Sequence, residues 1–380
     1  MHEIQGRPTV AEVSLSALRA NLRQAREVVG PRVAVLAVVK ADAYGHGAVA
    51  AARAFCEAGA SGLGVSMVGE ALELRRAGID VPIVVLGGTF AGEEDAVVAH
   101  DLATAVWSID AARALSARAA AAGRTVAVHV KVNTGMTRLG LDVEDVHAFA
   151  EALAALPSLV VDGVFSHFAS ADDVETVPAR AQVARFEAAV GALALAGIRP
   201  PHVHIANSAG VLSAPEAHFS MVRPGIMLYG YSPAWHLAER ARLTPAMTFR
   251  TRVVQARSID AGTRVGYGGR WKARRPSRIA VLPAGYADGY HRLNTNRAQV
   301  LVCGRRARVA GRVCMDHTMV DVTDVGDVGA GEAVVLFGRQ GDAVLGADEV
   351  AEWCETISYE VLTAVGKRVP RRYVEEFGDA

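Results

Sequence analysis

The chain has 380 residues, 51% hydrophobic and 21% charged, and its 40 Lys and Arg balance 40 Asp and Glu to a formal net charge of zero. That length predicts two domains, a barrel of roughly 230 residues and a smaller companion. The neutral balance removes the long-range field that nucleic-acid binding needs, and the short basic stretches 270–278 and 305–308 read as solvated surface.

The opening MHEIQGRPTV has no charged segment leading into the apolar core of about 7–15 residues that an export signal requires. No apolar run reaches about 18 residues without polar punctuation. The expectation is a cytoplasmic protein with no membrane partner. From Val33 to about Tyr229, eight short apolar runs alternate with longer amphipathic segments: VAVLAVV before Lys40, GLGVS, PIVVLGG, LATAVWS, TVAVHVKV, LVVDGVFS, HVHIANS and SMVRPGIMLYG. Apolar runs without strict alternation fit strands buried on both faces. The helical segments between them include GEALELRRAG, IDAARALSARAAAAG, DVEDVHAFAEALAAL and ARAQVARFEAAVGALALAG, several ending in a C-terminal Gly. The α/β pattern predicts an N-terminal (β/α)8 barrel over residues 9–242.

After Thr244 and Pro245 the texture changes to β-rich runs, TFRTRVVQARSI, RIAVLPAGY, AQVLVCG and EAVVLFG, with one helical stretch near LGADEVAEWCETI. Residues 243–380 read as a mostly-β domain. Cys56, Cys303, Cys314 and Cys354 form no CxxC pair and no metal-ligand spacing, so reduced thiols and no metal are expected.

In a parallel barrel the chemistry collects where strands end. Lys40 closes the first run, Lys131 and then Arg138 follow the fifth, and His167 follows the sixth. Asn207 and Ser208 follow the seventh, and Arg223 with Gly225 the eighth. Each alone has an ordinary explanation: a solvated strand end, a packed histidine, a helix N-cap at Ser208. Amine, guanidinium and hydroxyl groups converging on one rim make a candidate site.

Nine blocks, VVKADAYGHG, KVNTGMTRLG, SHFASAD, HIANSAG, RPGIMLYG, VGYGG, GYADGY, GRVCMDH and TISYEVL, resemble those of the alanine racemases, in order and across both domains. The resemblance implies an isomerase of fold type III that uses pyridoxal 5'-phosphate to interconvert L- and D-alanine. It further implies a homodimer in which the β domain of one subunit completes the barrel site of the other.

By resemblance Lys40 carries the cofactor, and Tyr44, Ser208, the Gly225–Ile226 backbone and Tyr359 hold its phosphate. His167 and Asn207 belong to the same cofactor set. Arg223 faces the ring nitrogen, and a guanidinium, which only donates, cannot hand over a proton as a carboxylate partner does. Arg138 contacts the cofactor's phenolic oxygen and the substrate carboxylate, for which the Met315 backbone N–H is a second donor. Lys131 stands where many members carry a carbamylated lysine.

Racemisation needs bases on two faces of Cα: Lys40 on one, Tyr267 of VGYGG on the other. A phenol ordinarily has a pKa of about 10, so Tyr267 needs help, which a chain through His167 and Arg223 would give. Asn133 and His317 stand where Asp and Gln are more usual, and neither is assigned a chemical step. Serine or broader amino-acid racemisation is the alternative. A fold-related decarboxylase and a binding protein for pyridoxal-phosphate homeostasis are remoter, because the first group uses an acidic ring-nitrogen partner and the second lacks a β domain.

Overall fold

The computed structural model describes residues 6–377, and the chain separates into two compact units. One comprises residues 18–43 and 48–244, and the other residues up to Ala17, the short segment Tyr44–Gly47 and residues from Pro245 onward.

The first unit holds eight parallel strands in chain order: β1 Ala34–Val38, β2 Gly62–Val65, β3 Ile83–Val85, β4 Ala103–Val106, β5 Val126–Asn133, β6 Leu159–Phe165, β7 His202–His204 and β8 Met221–Val222. Each pairs with the next up to β7, and β8 returns to β1 with Met221 opposite Ala34. Arg223 N–H to Ala206 O (2.9 Å) and Ser220 N–H to Val203 O (3.3 Å) link the segments of β7 and β8, so the ring closes. These are the eight runs read from sequence. Their apolar side chains sit inside and beneath the helical layer, and Leu36, Val84 and Met221 pack as one cluster within it. The expected helices lie at Val68–Arg76, Ile109–Ala121, Val146–Ala154 and Val177–Leu195. Gly78 and Gly197 follow two of them with φ of 76° and 80°, the left-handed turn that ends a helix cheaply only with glycine.

The other unit is built on a long mostly antiparallel sheet. Next to one edge of that sheet lies Val10–Ser14, antiparallel to Met247–Arg252 (Val10 opposite Arg250) and parallel to the edge strand Arg371–Val374 (Ala11 opposite Arg371). Residues 9–17, placed with the barrel on sequence grounds, therefore lie in this unit: in VAEVS the last four residues are buried, and the strand pairs with segments far away in sequence. TFRTRVVQARSI, read as one run, is two strands. At Val253 and Val254 the chain switches partners, Val253 N–H bonding to Glu332 O and Val254 N–H to Val281 O. The basic stretch 305–308 lies in a strand, Arg305–Val309, whose Ala307 and Val309 face inward while the arginines are exposed. The helical stretch appears as Ala347–Trp353. Among the described residues no helix is long and apolar enough to cross a membrane.

Candidate active site

Lys40 begins where β1 ends. Behind it Ala41, Asp42, Ala43 and Tyr44 are all left-handed, with φ of 52°, 53°, 53° and 54°. Each L-residue in that region costs roughly 1–2 kcal/mol, so a run of them must be held by its surroundings. Glu70 Oε1 accepts the Ala41 N–H at 2.7 Å while its Oε2 accepts the Ser66 N–H at 2.7 Å. Asp42 Oδ1 accepts the Ala48 N–H at 2.7 Å, and the Tyr229 hydroxyl donates to Val38 O at 2.8 Å. The sequence reading gave Glu70 no role. Its signal was an acid in the first turn of a helix, where a carboxylate reaches back to free N–H groups.

Lys131 does not lie beyond β5 but on it, opposite Phe165 of β6, with its ammonium 4.3 Å from that ring's centroid. Two residues on, Asn133 Oδ1 accepts the N–H groups of Gly135 (3.1 Å) and Thr137 (2.9 Å), and its Nδ2 donates to Asp142 at 2.9 Å. Asn133 thus folds the loop that presents the exposed Arg138. Buried Gln182, also missed in the sequence, joins this loop to the next: Nε2 donates to Thr134 Oγ1 and His167 O, both at 3.1 Å, and Oε1 accepts the Ala169 N–H at 2.8 Å. A small cavity lies among Lys131, Thr134, Met136, Arg138 and His167.

The electrostatics are one-signed. Burial, then Arg138, lowers the Lys40 pKa, with Arg223 adding and Glu70 opposing. Burial, then Arg223 and Arg138, holds Lys131 well below the usual lysine range. His167 is driven far down by burial and by Arg223, Lys131, Arg138 and Lys40. Both amines move toward the neutral, nucleophilic form, and His167 is neutral.

Arg223 is the hub. Its Nη1 meets His204 Nδ1 at 2.9 Å and His204 O at 3.0 Å, and its Nη2 meets Ser166 O at 2.7 Å and His167 Nδ1 at 3.2 Å. Burial brings its pKa down to about 9, so it stays charged at neutral pH. Beside it, Ser208 Oγ accepts the Gly225 N–H at 2.8 Å and the Met227 N–H at 3.4 Å. Ser208 is not the cap of its helix, Ser208–Ser213. That place belongs to Asn207, whose side chain accepts the Gly210 N–H at 3.0 Å.

The other unit carries the remaining expected residues. Tyr44 and Tyr359 lie with ring centroids 6.0 Å apart, and burial pushes the Tyr44 hydroxyl up to about 12. Gly45 is required where the segment passes the helix Ser358–Ala364 that carries Tyr359, since a Cβ there would sit 2.3 Å from Leu362 O. Tyr267 and Met315 are 71% and 53% exposed, accessible enough to meet another surface. Tyr267 follows Gly266, whose φ is 71°. The Met315 loop is pinned by Tyr286 N–H to Cys314 O and Ala287 N–H to Met315 O, each 3.0 Å.

Residues 13–233 match the family model described as "Alanine racemase, N-terminal domain" and residues 246–373 the one described as "Alanine racemase, C-terminal domain". The chain is 46% identical over 368 residues to an alanine racemase of Symbiobacterium thermophilum, covering 97% of each, and 44% identical to one of Desulfovibrio desulfuricans, covering 97% of this chain and 99% of the other. Among solved structures it is similar to the alanine racemase of Streptomyces lavendulae, a D-cycloserine producer, with TM-score 0.93, 39% identity and 98% of each chain covered. The Bacillus anthracis enzyme with bound L-Ala-P gives 0.91 at 36% identity, covering 97% of this chain and 95% of that one. With both halves matched in order and relatives aligned over nearly their whole length, the chain belongs to the alanine racemase family, a family of isomerases.

Proposed function

We propose that this protein interconverts L- and D-alanine, using pyridoxal 5'-phosphate held in the barrel and two opposed bases, Lys40 and Tyr267. The observation that carries the reading is the cluster of amines and guanidiniums. Lys40, Lys131 and Arg138 converge with a fully buried Arg223, and the one acid that acts on Lys40, Glu70, spends its oxygens on backbone N–H groups. Such a cluster fits a ligand bearing a phosphate and a phenolate together with a substrate carboxylate.

The donor set suits that group. Ser208 Oγ already accepts two N–H groups, so its own proton is available to a phosphate. The Tyr44 hydroxyl, raised by burial, stays a neutral donor, and Tyr359 lies beside it. The Gly225–Ile226 backbone completes the phosphate set, and Asn207 positions Ser208 by capping the same helix. Arg223 would lie against the ring nitrogen. When bound, the pyridoxal group supplies the electron sink that makes the α-proton of an amino acid acidic.

Lys40, its amine shifted by burial toward the neutral form, holds and returns the proton on one face of Cα, and the Tyr267 phenol does so on the other. Because Arg223 can only donate, His167 Nδ1 accepts from it and the imidazole proton lies on Nε2. That N–H is the donor for a Tyr267 phenolate. Arg138 and the Met315 N–H hold the substrate carboxylate. Lys131, whose amine burial and Arg223 shift toward the neutral form, would react with carbon dioxide, releasing a proton and forming a carbamate anion that pairs with Arg138. The small cavity beside it gives room for that anion.

In this reading Tyr267 and Met315 serve the barrel of a second copy in a cytoplasmic homodimer. Serine is the second substrate to test, since sites that admit a methyl group reject an added hydroxyl by only about a hundredfold. Incubating the purified protein with L-alanine, L-serine and L-lysine in deuterium oxide settles reaction and substrate together. The expected result is loss of optical rotation with matching exchange at Cα for alanine. Exchange without loss of rotation leaves one working base, and failure of borohydride to fix the cofactor to Lys40 defeats the assignment.

A further inference from the structure

Arg223 lies at one end of a buried chain of side chains that runs back through the barrel. His204 Nδ1 faces Arg223 Nη1 at 2.9 Å, and on the far side of the same ring Nε2 faces His129 Nδ1 at 2.9 Å. His129 Nε2 in turn faces Asp162 Oδ2 at 3.6 Å, where His202 Nε2 also approaches at 3.8 Å. His129 and His204 are 1% and 0% exposed, and Asp162 reaches solvent at 37%.

The protons on this chain have a direction. A guanidinium has no acceptor, so His204 Nδ1 must be bare and its proton must lie on Nε2. That N–H donates to His129, whose Nδ1 must then be bare as well. The His129 proton is thereby placed on Nε2, aimed at the Asp162 carboxylate. Any other arrangement sets two donors or two acceptors against each other between two buried rings. Burial keeps both imidazoles uncharged, and the Phe165 ring, stacked on His204 at 5.1 Å with a 5° interplanar angle, fixes the plane of the His204 ring.

We propose that His129, backed by Asp162, is a positioning residue for Arg223: by accepting the His204 Nε2–H it keeps His204 Nδ1 bare, and so holds the guanidinium in one orientation toward the ring nitrogen. The proposal rests on the reading of Arg223 as the partner of that nitrogen. It also gives this charge a mechanical anchor at the solvent end of the barrel, outside the rim where the substrate binds. His129 itself touches neither substrate nor cofactor.

The test has a readout independent of the cofactor. Imidazole nitrogen shifts of the cofactor-free wild type should report His204 protonated on Nε2 alone. In His129→Leu, which removes the acceptor, His204 should become a mixture of tautomers. Reconstituted with pyridoxal phosphate, that variant should lose about tenfold in kcat while KM for alanine holds within about twofold, the size of one hydrogen bond in a charged network. His129→Asn, whose Oδ1 stands near the position of Nδ1, should restore both the tautomer and kcat. Asp162→Ala, at a partly exposed position, keeps the proposal testable if His129→Leu does not fold: His204 should shift the same way, with kcat down about threefold.

A wild-type His204 protonated on Nδ1 overturns the proposal, as does a His129→Leu or Asp162→Ala protein of unchanged kcat and tautomer. In those cases an active wild type leaves the racemase reading standing. A wild type that neither binds pyridoxal phosphate nor racemises alanine defeats the racemase reading, and this proposal with it, whatever the tautomer.

Discussion

Glu70 Oε1 accepts the backbone N–H of Ala41 at 2.7 Å, one residue beyond Lys40, and so ties the turn after β2 to a backbone run that is left-handed at four consecutive positions. The carboxylate supplies from outside the energy that this run lacks in itself. Glu70→Ala should therefore destabilise the protein by about 1–3 kcal/mol, the cost of leaving N–H donors unmet by a charged acceptor. Because the segment it frees carries Lys40, kcat should fall as well. Glu70→Gln, which retains one acceptor oxygen, should lie between. Urea unfolding together with alanine kinetics checks this, and equal stability of all three proteins would refute it.

Asn133 sits where its relatives were expected to carry Asp, and the structure gives a local reason. Its Nδ2 donates to Asp142 at 2.9 Å while its Oδ1 holds the Arg138 loop. Asn133→Asp would set two carboxylates together and remove a donor. A loss of about 0.5–1 kcal/mol is expected at this exposed site, recovered when Asp142→Asn is added. A double-mutant cycle measures the coupling, and additive effects would show that the two side chains do not communicate.

Four buried or partly buried histidines, His129, His167, His204 and His218, have pKa values pushed down, in each case first by burial. In the unfolded chain each returns to about 6.5, so below that pH the unfolded state binds more protons than the folded one. The contribution of these four rings to stability should be level above pH 6.5 and decline as the pH falls from there toward the lowered values. Thermal melts between about pH 7 and pH 5 should show the decline, and His204→Asn should make it shallower. A flat profile over that interval would mean that these rings charge without penalty.

Mixing inactive Lys40→Ala with inactive Tyr267→Phe should return activity if the site is shared between subunits. Random pairing leaves one intact site in each mixed dimer, up to about a quarter of the wild-type rate. Confirmed subunit exchange without recovery would assign Lys40 and Tyr267 to the same chain's site.

The barrel was readable because strands covered on both faces write themselves as uninterrupted apolar runs, and helices announce their ends with residues such as Gly78 and Gly197. The positions of Lys40, His167 and Arg223 just beyond strand ends were readable because each follows an apolar run inside a distinctive block. What escaped was the scaffolding. Glu70, Gln182 and Asn133 are polar residues whose loop-holding bonds, to Ala41 and Ser66, to Thr134, His167 and Ala169, and to Gly135, Thr137 and Asp142, only the fold reveals. His129 and His204 left a fainter trace: two histidines inside runs otherwise too apolar to tolerate them. Such residues need partners, and the partners lie on different strands. Val10–Ser14 was misplaced because its neighbours in the sheet come from the other end of the chain.

That same short strand has a consequence for biosynthesis. Residues 10–14 leave the ribosome before the barrel, yet the segments that satisfy their backbone, 247–252 and 371–374, follow only after the whole barrel has been made. An unpaired β edge is adhesive, and long-range pairing is slow. The nascent protein therefore carries an open edge for most of its synthesis, and a truncated product ending before residue 371 would keep it. Aggregation of such fragments, rather than of the finished enzyme, is where poor expression would originate.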